Sequence, residues 1–252
     1  MTDSTEGSDN EQISDRPESL LPRSKRRRFS PLKVANQIPK RRRIEIEKAL
    51  EGSSGTPKKW SRQSGPKNHT FLRKRIPPGS IRRLEFDLLS VDIGESWPVP
   101  ITVVHGARPG PTITLLGAVH GNELVGPLAL TYLSGPNFIG SGKAIDPEAL
   151  SGTIRIVPIV NMPGYKTKSR YMPDGRDLNR SFPGKPDSNT SYRVANRIWN
   201  KIIAGSDYVI DLHTAAVGRT NMPQIRANLA HASSNRIARS FGIEAILDNA
   251  GP

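Results

Sequence analysis

Four short apolar runs constrain the fold of this 252-residue sequence more than any other feature: VPITVVH (Val99–His105), TITLLGAV (Thr112–Val119), TIRIVPIV (Thr153–Val160) and DYVIDLH (Asp207–His213). Each is too short for a helix, rich in β-branched residues and bounded by turn-forming residues, so each reads as a buried strand. Helical patterns separate or follow them. Asn122–Leu133 reads as one helix, with Gly126-Pro127 sharpening its start. Tyr192–Ile203 reads as a second, with Val194, Ile198, Trp199 and Ile202 on one face and a Ser/Thr run able to cap it. A third is expected over His231–Phe241, then a short strand, IEAIL. Strands alternating with helices predict an α/β domain with a largely parallel mixed sheet flanked by helices.

The turn-forming cluster Ile76-Pro77-Pro78-Gly79 marks the expected domain start, giving residues 77–252 as the folded unit and 1–76 as a disordered basic tail. The first 76 residues hold 19 Lys+Arg against 9 Asp+Glu, so +10 of the net +14 lies there and only +4 in the rest. Basic clusters stand at Lys25–Arg28 and Lys40–Arg43, and a short helix over Arg43–Leu50 fits the pattern. Such runs either stay solvated or touch nucleic-acid phosphates weakly and non-specifically, in a salt-sensitive way. No RNA-recognition or zinc-finger pattern accompanies them. The absence of a long apolar run or an apolar leader after Arg26-Arg27-Arg28-Phe29 argues against a membrane span or export signal, and the expected location is the cytoplasm.

With no Cys in the chain, a metal would have to be held by His and carboxylates. Two of the five His close apolar strands, at the sheet edge where ligands of open α/β sheets gather. In GAVHGNELVG, His120 follows one strand and Glu123 comes three residues later, with Gly117 and Gly121 allowing a tight turn; in DYVIDLHTA, His213 ends another strand 93 residues on. Two His and one Glu leave a fourth tetrahedral position open for water, the arrangement of a hydrolytic zinc site. By itself His-x-x-Glu is a weak signal, because a Glu near a helix start is also favoured by the helix dipole. Asp211 lies two residues before His213, on the same strand face, where it either orients that imidazole or caps the following turn. Between the two His lies RYMPDGRDLNRSFPG (Arg170–Gly184), in which Asn179 and Arg180 suit recognition of a carboxylate, unless the loop is only a surface turn with Asp177 paired to Arg180.

HGNE, DLNRxFPG and DLH in this order resemble the succinylglutamate desuccinylase/aspartoacylase family, related to the zinc carboxypeptidases, from about Pro78 to the last residue. The resemblance implies one zinc per chain on His120, Glu123 and His213. It implies that Asn179 and Arg180 bind a substrate carboxylate and that Arg170 helps polarise the scissile carbonyl, with Arg176 as the competing candidate. The implied reaction is hydrolysis of an amide, or an ester, in a small carboxylate-bearing N-acyl amino acid or peptide-like substrate. The family's general-base Glu lies well downstream of the last His, on a later strand. Here only Glu244 and Asp248 follow His213, neither in such a context. The expectation is therefore a zinc-carboxypeptidase-like domain lacking its C-terminal part and its general-base Glu. The competing readings are a catalytically silent zinc- and carboxylate-binding module and a protein whose basic tail associates with nucleic acid.

Overall fold

The computed structural model describes residues 67–90, 96–135 and 145–249. Most of the basic tail, including both Lys/Arg clusters and the Arg43–Leu50 segment, lies outside them. The order of elements is β1 (His69–Phe71), β2 (Lys74–Ile76), β3 (Ser80–Ser90), β4 (Ser96–His105), β5 (Arg108–Gly117), α1 (Val125–Ser134), β6 (Ser151–Val157), α2 (Met162–Lys166), α3 (Thr190–Ile198), β7 (Tyr208–Leu212), β8 (Gln224–Ala227), α4 (Ala232–Ser240) and β9 (Ala245–Asp248). A 3-10 turn covers Leu178–Arg180, and a π turn, Trp199–Ile203, extends α3.

Five strands form one mixed sheet in the order β3-β4-β6-β5-β7. The β5–β6 and β5–β7 pairs are parallel, as the alternating pattern predicts for strands joined through helices. The β3–β4 and β4–β6 pairs are antiparallel, so the parallel share is smaller than the sequence suggests. The long strand β3, with its mixed apolar and charged residues, adds one antiparallel pair, and the reversed direction of β4 against β6 makes the other. A separate two-stranded parallel sheet joins β8 to β9. Strand β8 has only Ile225 and Ala227 as apolar residues and carries no strand signal of its own.

Alternation along the strands distributes side chains to two faces. On one, Val99, Ile101, Val103 and Val157 pack with Val194, Ile198 and Ile202. On the other, Val104 and Ile156 pack with Leu130 of α1. Burying each Val or Ile contributes about 1.5–3 kcal/mol. The expected apolar face of α3 is confirmed at Val194, Ile198 and Ile202, but Trp199 is exposed. The three buried residues follow a straight i, i+4, i+8 row; Trp199 is about 100° round from Ile198 and falls off it.

Two of the described strands lie before residue 77. Strands β1 and β2 pair antiparallel, with Phe71 and Ile76 buried in the main core. Phe71 also stacks under the guanidinium of Arg155, 4.3 Å from its ring centroid. Arg155 is the single charged residue in β6, and its Nη1 donates to the carbonyls of Ile202 and Ala204. Burial pulls its pKa down to about 10. Two apolar residues and one cation–π contact thus order a segment whose composition reads as tail. Lys67, Arg73, Lys74, Arg75, Arg82 and Arg83 remain exposed.

The loop before α3 is tied to that helix by Asp174, whose carboxylate accepts the Ser191 amide at 2.9 Å and the Ser191 hydroxyl. Asn189 caps the same turn through the Tyr192 amide. Burial alone would raise the Asp174 carboxyl. The hydrogen bonds from the Ser191 hydroxyl and amide and from the Arg176 amide, with the Arg176 charge, outweigh burial and hold it below its usual value. A depressed carboxyl contributes stability that is full above the unfolded value of about 3.9 and is lost as pH falls through the folded value. Urea unfolding of Asp174→Ala is therefore expected to show a loss of about 1–2 kcal/mol at neutral pH, narrowing below about pH 4. A gap that stays constant into acid would contradict this account.

Candidate metal centre

Parallel pairing of β5 with β7 sets Gly117 opposite Leu212, so the residues after each strand emerge side by side at one sheet edge. Beyond β5 the chain stays alongside the segment after β6, through Val160 N to Gly117 O and Asn161 N to Ala118 O, both 2.9 Å. The buried side chain of Asn161 donates to Val119 O and caps α2 by accepting the Gly164 amide. The left-handed residue in this turn is Ala118, with φ 49°, so neither Gly117 nor Gly121 supplies the turn expected of them. Both glycines serve close approach instead. A Cβ on Gly121 would lie 2.0 Å from the carbonyl carbon of Gly164, and one on Gly117 would lie 2.7 Å from the Pro158 oxygen.

The side chains of His120 and Glu123 are each 3% exposed, and that of His213 is 30% exposed. Glu123 sits in the turn just ahead of α1 rather than in the helix, and the Thr214 amide donates to its Oε2 at 2.9 Å. The Nδ1 atom of His120 lies 2.8 Å from Glu123 Oε1, and that of His213 lies 3.0 Å from Glu123 Oε2. The two Nδ1 atoms are 3.1 Å apart. One donor atom from each of the three residues falls within 4.8 Å of the others, so the group can hold a metal ion.

The far side of each imidazole decides how that pair of nitrogens is read. Asp211 Oδ2 lies 2.6 Å from His213 Nε2, and Asp177 Oδ1 lies 3.1 Å from His120 Nε2. A proton on each Nε2, donated to its carboxylate, leaves both Nδ1 lone pairs facing the same point beside a carboxylate. That arrangement suits a cation: the two Nδ1 atoms are 3.1 Å apart, near the roughly 3.3 Å edge of a tetrahedron with zinc-like bonds, and each faces one oxygen of the Glu123 carboxylate. Burial opposes charge on His213, but the hydrogen bond and charge of Asp211, followed by those of Glu123, raise its pKa above the usual imidazole value. Asp177 is likewise lowered: burial opposes the shift, and His120, the Asn179 amide and Arg170 outweigh it.

Arg170 joins the cluster, with Nη1 donating to Glu123 Oε1 at 3.1 Å and Nη2 to Asp177 Oδ2 at 3.3 Å. Arg176, its competitor, is 52% exposed and, among the described residues, its ion pair is with Asp174, at 4.0 Å. Asn179 is exposed, and Arg180 is 85% exposed with Nε 3.8 Å from Asp177 Oδ2. Asp177, which the sequence offered only as an alternative partner for Arg180, makes that contact and also reaches His120. Its contact with His120 spans 57 residues and leaves no local pattern. His105 also ends a strand, but β4 runs opposite to β6, and its ring bonds Thr153 and the Lys67 carbonyl away from the cluster.

Residues 109–252 match the family described as succinylglutamate desuccinylase/aspartoacylase catalytic domain. The N-alpha-acetyl-L-2,4-diaminobutyric acid deacetylase of Halomonas elongata is 38% identical over 123 residues, which are 48% of this chain and 33% of that protein. Among solved structures, an aspartoacylase family protein from Mesorhizobium loti superposes with a TM-score of 0.57 at 25% identity, over 73% of this chain and 56% of its own. A succinylglutamate desuccinylase/aspartoacylase from Rhodobacter sphaeroides gives 0.49 at 31% identity, over 62% and 44%. The chain thus spans between a third and just over half of the length of these relatives.

Proposed function

Because the chain belongs to the succinylglutamate desuccinylase/aspartoacylase family, we propose that it is the metal-binding part of a zinc-dependent hydrolase that cleaves the amide, or ester, bond of a small carboxylate-bearing N-acyl amino acid. The observation that carries this reading is the pair of Nδ1 atoms converging with Glu123 while a carboxylate holds each Nε2. The donor set of two imidazoles and one carboxylate is that of hydrolytic zinc sites. The Halomonas relative is named for removing an acetyl group from an N-acetyl amino acid, which supports an amide as the bond cleaved.

Zinc, when bound, supplies Lewis acidity toward a water and the scissile carbonyl. The remaining work falls to side chains. Asn179 and Arg180 are suited to take the substrate carboxylate, since both are exposed and one offers an amide and the other a planar fork of donors. Arg170, within 3.1 Å of a Glu123 oxygen, places positive charge beside the donor cluster, where it favours charge developing on the carbonyl oxygen. Asp177 and Asp211 hold the Nε2 protons. The carboxylates nearest the cluster, Glu123, Asp177 and Asp211, are all engaged with imidazoles, and Asp248 accepts the Leu229 amide at 3.0 Å. None of them is assigned the general-base role. No helix among the described residues is long and apolar enough to cross a membrane.

The test is a panel of N-acetyl and N-succinyl amino acids offered to the zinc-loaded chain, with release of free amine as readout and chelator-treated protein as control. Chelator-sensitive release is the expected outcome. Full zinc loading without turnover would instead favour the silent zinc- and carboxylate-binding module, and failure to load zinc would refute both.

A further inference from the structure

We propose that Asp177 is a positioning residue that couples metal binding at His120 to the presentation of Asn179 and Arg180, so that zinc and a carboxylate ligand bind cooperatively through one side chain. This rests on the zinc site and the carboxylate-binding turn proposed above. A single oxygen, Asp177 Oδ1, is 3.1 Å from His120 Nε2 and also accepts the Asn179 amide at 2.9 Å. Asp177 is the N-cap of the Leu178–Arg180 turn, and its carbonyl accepts the Ser181 hydroxyl at 3.0 Å. Leu178, the next residue, is fully buried and pins the turn to the core. The carboxylate therefore cannot shift away from His120 without releasing the Asn179 amide, which it caps in the turn that carries both ligand-binding residues.

The direction of the coupling follows from the imidazole. A cation on Nδ1 withdraws electron density from the ring and makes Nε2–H a stronger donor, tightening its bond to Asp177 and with it the cap on Asn179. Arg170 adds a second connection, since it bridges Glu123 and the other Asp177 oxygen. Binding free energies are reciprocal, so a carboxylate that orders the turn must raise zinc affinity by the same factor. Asp211 provides an internal contrast. It makes the same kind of contact with His213 Nε2, at 2.6 Å, but lies within β7, and among the described residues it is not the N-cap of a helical turn.

The test measures zinc affinity of the full chain by competition with a chelating dye, with and without saturating succinate as the carboxylate probe. Wild type is expected to bind zinc about fivefold or more tightly with succinate present. Asp177→Ala should weaken zinc about 10- to 100-fold and abolish the succinate effect, whereas Asp211→Ala should weaken zinc similarly and keep it. Asp177→Asn, whose amide oxygen can still accept both bonds, should retain the succinate effect with weaker zinc binding, and so guards against misfolding of the alanine variant. The coupling is overturned if Asp177→Ala keeps the succinate effect, if Asp211→Ala loses it, or if wild type binds zinc without responding to succinate. That last result leaves the zinc site standing. A wild-type chain that binds no zinc overturns the metal reading itself, and the coupling with it.

Discussion

Replacing either His120 or His213 with alanine should leave the purified protein without bound zinc, where wild type carries about one ion per chain. The size of the effect follows from the donor count. Two imidazoles and one carboxylate are the minimum of a hydrolytic zinc site, and changing even an outer partner of a ligand typically costs 10- to 100-fold in affinity. Losing an inner donor costs more, and here it also strands charge. Without the His120 ring, Asp177 loses its Nε2 partner and Glu123 its Nδ1 partner, both in a largely buried setting. The measurement is metal content after gel filtration in non-chelating buffer, alongside circular dichroism to confirm folding. A folded His120→Ala protein that retains zinc would remove this site from consideration.

Gly121→Ala is expected to be nearly as damaging although it removes no functional atom. The added methyl would lie 2.0 Å from Gly164 C and 2.2 Å from Tyr165 N. Both are backbone atoms, near the end of α2 and bound in turn to the buried Asn161 cap, so neither can swing aside as a flexible side chain would. Relief requires the turn between His120 and Glu123 to move away from α2. Overpacking of this kind typically costs about 1–3 kcal/mol, occasionally more. Zinc affinity should fall together with thermal stability, because the displaced turn carries two of the three donors. Zinc binding and a melting temperature equal to wild type would show that the loop and α2 are less tightly apposed than described.

What the sequence made legible was set by how local each signal is. The strands leading to His120 and His213 announce themselves through β-branched runs, and the glycines and polar residues after them mark the sheet edge; with the family resemblance, this was enough to name the three residues that come together as a candidate metal group. The hairpin at His69–Ile76 was hidden because only Phe71 and Ile76 are core residues there, among Lys67, Arg73, Lys74 and Arg75, and composition outweighed two buried positions. Trp199 was misplaced because an apolar residue beside a buried row looks like part of it. Asp177 escaped for a different reason: a carboxylate three residues before an arginine has an obvious near partner, while its actual bond to His120 depends on how two distant loops are brought together. Arg170 and Arg176 were separable only in three dimensions.

The edge position of β7 has a further consequence. Among the described residues this strand is hydrogen-bonded on one side only, to β5, and both of its faces are partly exposed. Strands of that kind open readily, by local unfolding rather than global melting. A cation bridging the ends of β5 and β7 would be a ligand of the closed state alone, so it would raise the free energy of that opening by mass action. Metal at this position would then act as a clasp on the sheet margin, and the integrity of the margin would follow metal supply.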